Sequence, residues 1–599
     1  MPEQAQANRA PLYEALMQYM KKNDVSFHVP GHKNGQALRG EMPPEQDLLS
    51  RVMEIDATEI TGTDDLHHPE GAIREAQQLA AAQFGAEETF FLVGGSTAGN
   101  LALILSVCTA PGDVLLVQRN VHKSVIHGLM LAGAHAVFLA PRLDAPSGLA
   151  TIPPAETVRE ALRRYPGAKG LLVTHPSYYG MGASLRPLAE LCRAHSVPLL
   201  VDEAHGAHFG QHPALPESAL AQGADGVVQS THKMLTALTM GAMLHVQGGL
   251  IDRALLRQRL AMLQSSSPSY PIMASLDVSR SLLAAQGPAL FAGGLAAAAA
   301  ARSGLDKLPR FGFVKPPGAS GGAAAYTIQD PFKLVIYDTT NRWSGYELQQ
   351  RLEAEGCVPE MSNERYVVLA FGPGTTERDA LRLLQALERI AVAAEESEGA
   401  SEKSKEKAAE TTAQPATAAE KREAEQEEEQ EEEQEASGGD PAAELSTWNI
   451  SPDPKPADPA IRNAEVRSQA AAGIGAQVTG TVIDLEPADC GSGIDAEQAD
   501  VLPGISEPVA FSLAPLSQGE IEAIPVEDSA GRQAAEMIIP YPPGIPLLYP
   551  GETITEETRS RLIRLRHSGA KCQGAADPLL LTIQVKKLIK KAGNEPHER

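Results

Sequence analysis

Three loop sequences hold the side chains with the most chemical potential: Gly94-Gly-Ser-Thr-Ala-Gly-Asn100, Val201-Asp-Glu-Ala-His-Gly-Ala-His208 and Gln229-Ser-Thr-His-Lys233. Each follows a short apolar run, and the C-terminal ends of strands are where open α/β sheets gather ligands. In the first loop, backbone amides around Gly95, Ser96 and Thr97 open a predicted helix. Unpaired amides and the helix dipole together favour an anion such as phosphate. Taken alone, a helix cap explains the same residues, and no GxxxxGK[ST] phosphate loop occurs in the chain. Asp202 ends an apolar strand, where a carboxylate is costly unless it meets a cation or hydrogen-bond donors. Asp202-Glu-Ala-His205 also spells a helicase box, which the missing phosphate loop excludes. His205 and His208 stand three apart, but no further ligand set has convincing spacing, so no metal is expected. Lys233, after Ser230 and His232, would in isolation be a solvated surface charge.

In combination the three loops change meaning. A phosphate anchor, a carboxylate able to keep a pyridinium protonated and an amine able to form an imine are what pyridoxal 5'-phosphate (PLP) requires. The expectation is a Schiff base on Lys233.

These loops must be held by a scaffold. Strands are predicted at Thr89–Val93, Val114–Val117, Ala136–Leu139, Gly170–Thr174, Pro198–Val201, Gly226–Gln229 and Ala242–Val246, alternating with helices such as Thr97–Cys108, Val121–Ala132, Pro154–Tyr165 and Pro187–His195. Strands almost free of polar residues are buried on both faces, so the fold class is α/β with a mostly parallel sheet. The predicted division is an N-terminal segment, 1–85, contributing to the active site; a large cofactor-binding domain, 86–303; a small α+β domain, 304–393; an acidic low-complexity linker, 394–509; and a C-terminal α+β domain, 510–599. The linker is predicted to be largely disordered, because it has too few large apolar side chains to offset chain entropy.

Composition narrows the function classes. Of the net charge of −25, residues 395–436 supply −11 through 16 Glu against 5 Lys or Arg, and nothing suggests nucleic acid as a partner. The five cysteines (Cys108, Cys192, Cys357, Cys490 and Cys572) form no CxxC pair and are expected to be reduced thiols. No uninterrupted run of eighteen apolar residues and no signal-peptide pattern occurs, so a cytoplasmic protein without a membrane span is expected.

Five motifs in order carry a family resemblance: Phe27-His-Val-Pro-Gly-His-Lys33, Gly62-Thr-Asp-Asp-Leu-His67, His122-Lys-Ser-Val-Ile-His-Gly128, Ser230-Thr-His-Lys233, and Pro540-Tyr-Pro-Pro-Gly-Ile-Pro546 with Pro550-Gly-Glu552. Over most of its length the sequence resembles the fold type I PLP enzymes, specifically the bacterial ornithine/lysine/arginine decarboxylases. The resemblance implies that Lys233 forms the internal Schiff base, that Asp202 pairs with the pyridine nitrogen and that His122 stacks on the ring. It also implies that Gly95, Ser96, Thr97, Ser230 and His232 form the phosphate and cofactor shell, with His205 near the ring. His232 and Lys233 are the candidate proton donors at Cα. Asp64, Asp65 and Glu552 are candidate partners for the substrate's basic end. Arginine is the favoured substrate, giving agmatine for polyamine synthesis, with lysine and ornithine as alternatives. The N-terminal wing of the large inducible members has no counterpart before His28, which implies a homodimer or a dimer of dimers. Two rival readings are another fold type I activity, such as an aminotransferase or aldolase, and a non-catalytic relative that keeps the fold.

Overall fold

A computed structural model of the chain describes residues 6–41, 43, 47–315, 325–413 and 504–588. One compact unit comprises residues 1–387 and 472–599, and a second comprises 388–471. The described part of the second unit, 388–413, belongs to the helix Glu377–Ala413.

The large domain supplies β1 (Glu88–Leu92), β2 (Val114–Gln118), β3 (His135–Leu139), β4 (Leu171–Thr174), the short β5 (Met181–Gly182), β6 (Leu199–Asp202), β7 (Gly226–Gln229) and β8 (Ala242–Val246). The small domain adds β9 (Phe311–Phe313), β10 (Ile328–Gln329), β11 (Lys333–Asp338), β12 (Met361–Ser362) and β13 (Val367–Ala370). The C-terminal part adds β14 (Val509–Ala510), β15 (Ile521–Pro525), β16 (Ile539–Pro540), β17 (Cys572–Gln573) and β18 (Thr582–Lys586).

The main sheet runs β1-β8-β7-β6-β4-β2-β3-β14. Strands β3, β2, β4, β6 and β7 are mutually parallel, while β8 runs antiparallel to both β7 and β1. The seven predicted strands are all present. Both faces are covered, so Leu115, Val117, Phe138, Leu172, Leu200, Val228 and Leu244 share one buried core. Because β4, β6 and β7 are parallel neighbours, the loops that follow them emerge along one edge.

The small domain is an antiparallel sheet, β12-β13-β11-β9, and β10 reaches back to pair with β5 of the large domain. The C-terminal part packs Val526, Ile538, Leu548, Ile554, Leu562 and Val585 into a core of its own. It is fastened to the main sheet by β14 on β3 and by Tyr549, whose ring stacks on Phe138 at 5.4 Å between centroids.

Both ends of the expected linker differ from the sequence reading. The helix beginning at Glu377 continues to Ala413, consistent with its Ala, Glu and Lys content. At the other end, Ser506 donates its backbone N–H to Phe138 and Val509–Ala510 form β14, so backbone pairing starts ahead of 510. The remainder of the predicted disordered stretch lies outside the described residues.

The helical stretch Tyr270–Leu305 is long and apolar enough by composition to cross a membrane. A 3-10 turn at Gly287–Phe291 interrupts it, and its Asp277–Arg280 ion pair, at 2.8 Å, is buried. Asp277 accepts the Leu12 amide, and Arg280 donates to the carbonyls of Ala7 and Arg9, so the stretch serves as the seat of the N-terminal helix Pro11–Lys22.

Candidate functional site

A cavity of about 930 Å³ opens where the strand-end loops meet the small domain and the C-terminal part. Ser96, His122, Asp202, His205, His232 and Lys233 line it, so six of the nine candidate residues share one space. Gly95, in the left-handed region at φ +71°, starts the helix Gly95–Val107, which has no side-chain cap; its own amide donates to the Met240 carbonyl at 3.0 Å, leaving the amides of Ser96 and Thr97 to face a ligand. Thr97 is exposed on the first turn of this helix. Ser230 is buried at the N-terminus of the short helix Thr231–Met234, and its hydroxyl has no partner in the protein. Ser230 itself does not line the cavity, but its orphaned hydroxyl, two and three residues before the lining His232 and Lys233, is a hydrogen-bonding group left for a ligand.

Lys233 sits just beyond β7, with Nζ 3.1 Å from His205 Nε2. Burial pulls its pKa down, against the opposing charges of Asp202 and Glu360. A lysine so placed is easier to obtain as the neutral nucleophile. Burial raises the pKa of Asp202, while the Lys233 charge, the Asn100 amide and the Ala204 N–H lower it. Asn100 donates to Asp202 Oδ2 at 2.9 Å, and the Ala204 amide to Oδ1 at 3.2 Å. A buried carboxylate facing a cavity suits a cationic ring nitrogen.

His122 caps the helix Lys123–Ala132 and also faces the cavity. The Ser124 N–H donates to its Nδ1 at 3.2 Å, which leaves the proton of the neutral ring on Nε2. Burial, then the charge of Lys233, pulls its pKa to about 3, so it is neutral at physiological pH. Gly544, at φ +84°, lies against it: a side chain there would come within 3.0 Å of Nε2, so the Pro540–Pro546 turn requires glycine. His232 donates from Nδ1 to the Gly241 carbonyl at 2.9 Å and therefore presents a lone pair at Nε2. His205 packs against Tyr178, with ring centroids 4.2 Å apart.

Several residues of this network were missed from the sequence. Asn100 joins Asp202 to Ser124, donating to the Ser124 hydroxyl at 3.0 Å. It closes the first quoted loop one helical turn beyond Ser96, on the same helix face, and that spacing was an available signal. Lys333, on β11, places Nζ 3.3 Å from His205 Nδ1. Tyr178 donates its hydroxyl to Glu360 across the cavity mouth.

Two expectations are corrected. Asp64 faces inward to backbone: it accepts the amides of Glu70, Gly71, Ile73 and Arg74 at the start of the helix Ala72–Phe84, and Asp65 accepts the His67 amide. Neither lines the cavity. Glu552 does line it but is already paired with Arg119 at 3.0 Å, buried beneath Tyr549. Within a single chain no described residue of 1–85 lines the cavity, so the contribution expected of this segment would be made to the cavity of a second copy. The Phe27–Lys33 motif is held by its own bonds, Lys33 Nζ to the His28 carbonyl and Tyr19 to the His28 ring, leaving Phe27 92% exposed.

Glu203 and His208, between the candidate residues, are structural. Glu203 accepts from Gln229 and the Ala219 amide in the core, and His208 pairs with Asp330 at 3.0 Å. Among the described residues no cluster of three metal-binding side chains occurs. Cys108, Cys192, Cys357 and Cys572 are free thiols, while Cys490 lies outside the described residues.

Comparison with known proteins adds independent information. The model of the Orn/Lys/Arg decarboxylase major domain matches residues 10–379, and that of the C-terminal domain matches 501–570. A Bacillus subtilis protein known only as "Uncharacterized protein YaaO" is 36% identical, covering 94% of this chain and 96% of its own. A B. subtilis arginine decarboxylase is 31% identical, covering 96% and 98% respectively. The solved Escherichia coli constitutive lysine decarboxylase superposes with a TM-score of 0.66 at 21% identity, covering 97% of this chain and 82% of that one.

Proposed function

The chain belongs to the ornithine/lysine/arginine decarboxylase family of PLP-dependent amino acid decarboxylases, and from that premise we propose that it decarboxylates arginine to agmatine and CO2 for polyamine synthesis. The family fixes the coarser statement: this is a decarboxylase of basic amino acids that uses PLP. The observation that carries the residue assignment is the meeting of Lys233 and Asp202 in one cavity at adjacent strand ends, with the orphaned Ser230 hydroxyl on the same loop as Lys233.

In this reading Lys233 holds the cofactor, Asp202 meets its ring nitrogen and His122 covers its ring. Ser230, Ser96 and the amides of Ser96 and Thr97 hold the phosphate. When bound, PLP supplies the sink for the electron pair left at Cα when CO2 departs. The protein's part is orientation and proton handling. Asn100 and Ala204 N–H fix the Asp202 carboxylate in its ionised orientation. The Ser124 amide fixes His122 as the neutral Nε2–H tautomer, so its ring adds no charge of its own. His232 must take up a proton at Nε2 before it can return one, which makes the Lys233 amine the more direct donor at Cα.

Arginine is favoured by relatives that match nearly end to end and carry that name. Glu360, whose charge reaches Lys233, Lys333 and His232, is the carboxylate proposed to face the substrate's basic end. The proposal extends to a cytoplasmic homodimer or dimer of dimers, supported by Val25, Phe27 and Val29, which are 77%, 92% and 67% exposed on the segment expected to serve the active site. The test is to incubate PLP-loaded protein with arginine, lysine and ornithine separately and measure CO2 and amine. Agmatine as the dominant product supports the reading; cadaverine or putrescine instead reassigns the substrate, and release of none of the amines refutes it.

A further inference from the structure

Two lysines share one histidine in this cavity. His205 directs Nε2 at Lys233 Nζ, 3.1 Å away, and Nδ1 at Lys333 Nζ, 3.3 Å away. The Tyr178 ring lies beside both ammonium positions, at 5.9 and 5.7 Å from its centroid. Lys333 is only 2% exposed, and its position is built in. Its amide donates to the Asp330 carbonyl and its own carbonyl accepts from Arg302. Its side chain passes over Gly180, where a Cβ would meet Lys333 Cβ at 2.6 Å in a turn at φ +79°.

Counting protons restricts this trio. Burial, followed by the charges of Lys233 and Lys333, holds His205 neutral, so the ring has one N–H and one lone pair. An ammonium can only donate. If both contacts are hydrogen bonds, one lysine can donate as an ammonium to the lone pair, and the other must accept the N–H as a neutral amine. The surroundings break the symmetry. Burial pulls the Lys333 pKa down, and the charge that most opposes it is that of Asp330, whose Oδ1 is taken by His208 and the Phe332 amide while Oδ2 is buried without a partner and aims its negative charge at a cation. Lys233 faces Asp202, whose two oxygens already accept the Asn100 amide and the Ala204 N–H, and the neutral rings of His122 and His232. Glu360 acts on both lysines and does not distinguish them.

We propose that Lys333 is a positioning residue that donates to His205 Nδ1, fixes the proton on Nε2 and thereby keeps Lys233 as the neutral amine competent to capture an aldehyde. The lone pair of Lys233 then forms the C–N bond, and the carbonyl oxygen leaves as water with the two amine protons. The proposal rests on Lys233 being the cofactor lysine, and borohydride trapping tests that point separately.

The test is competitive acetylation of the full-length cofactor-free protein with acetic anhydride across pH, with Lys233 followed by mass spectrometry. It is paired with the rate at which the visible cofactor band grows on adding PLP. Lys333→Met removes charge and donor, and is expected to move the Lys233 midpoint up by about one pH unit, which is about tenfold less neutral amine near pH 7 and a cofactor capture about tenfold slower. Lys333→Arg keeps a cation with an N–H and is expected to stay near wild type. Lys333→Gln, uncharged and polar, gives the same answer as Lys333→Met if methionine there prevents folding. An unmoved midpoint in the uncharged variants, or an equal shift in Lys333→Arg, overturns the proposal while leaving the decarboxylase reading intact.

Discussion

The floor of the cavity and the exposed N-terminal segment, the outer rim of the molecule's matched motifs, follow different rules. On the floor, Asp202, His205 and Ser230 are buried at or just beyond the ends of β6 and β7, and the more exposed Lys233 reaches His205 from the same loop as Ser230. Outside the cavity, the Val25–Lys33 segment leaves Val25, Phe27 and Val29 in solvent, although it holds one of the five motifs that carry the family resemblance. Motifs on the floor explain themselves inside one chain, because a parallel sheet brings its strand ends together. A motif on the rim is exposed until something covers it. The Pro540–Pro546 turn lies between these cases: it belongs to the C-terminal part, yet the Lys123 amide donates to the Gly544 carbonyl and Arg119 holds Glu552.

The largest expected effect lies on the floor. Lys233→Ala should lower kcat by about 10³-fold or more and abolish the visible absorbance of the loaded protein, measured by CO2 release and by spectrum. Retained activity would place the chemistry elsewhere. Next is the joint between rim and floor. Arg119→Ala strands the buried Glu552 carboxylate and should cost about 3–5 kcal/mol in denaturant unfolding, whereas pairing Arg119→Met with Glu552→Leu should recover much of it. A loss below about 1 kcal/mol would mean that the C-terminal part is held by its apolar contacts alone.

The rim predicts a different signature. Phe27→Ser should change the unfolding free energy by no more than about 0.5 kcal/mol, since the side chain is exposed. It should nevertheless shift sedimentation toward a smaller species and weaken turnover at low protein concentration. If the variant sediments and turns over as wild type does, the segment is not the contact surface.

The smallest effect concerns pH. Burial pulls His245 to about 3, between Thr89 and Gln229. A depressed folded pKa means that stability is complete above the unfolded value near 6.5 and is lost as pH falls toward 3, because only the unfolded chain takes up the proton. His245→Gln should therefore bind about one proton fewer on unfolding in that window, seen as a flatter dependence of midpoint on pH. An unchanged slope would contradict a neutral buried His245.

The same contrast governs what the sequence disclosed. Seven strands of the main sheet were legible because buried parallel strands are apolar throughout, and β7 and β8 match to the residue. Their spatial order and the reversal of β8 were not, since local pattern carries no pairing information. Strands β5, β10, β12 and β14 have two residues each, too short for any alternation to register. Asp202 was found because it closes an apolar strand. Lys333 opens one, Lys333-Leu-Val-Ile-Tyr-Asp338, and offered the same signal, but only the fold brings it to His205. Asp64 and Glu552 were misread because a carboxylate in a matched motif gives no hint whether backbone amides or an arginine already claim it.

Two lysines facing one histidine make a single measurement decisive. Borohydride reduction of the PLP-loaded protein, followed by peptide mapping, should place the cofactor on Lys233, with Lys333 unmodified. Recovery of the cofactor on Lys333, or on neither lysine, would contradict the assignment on which the site is built.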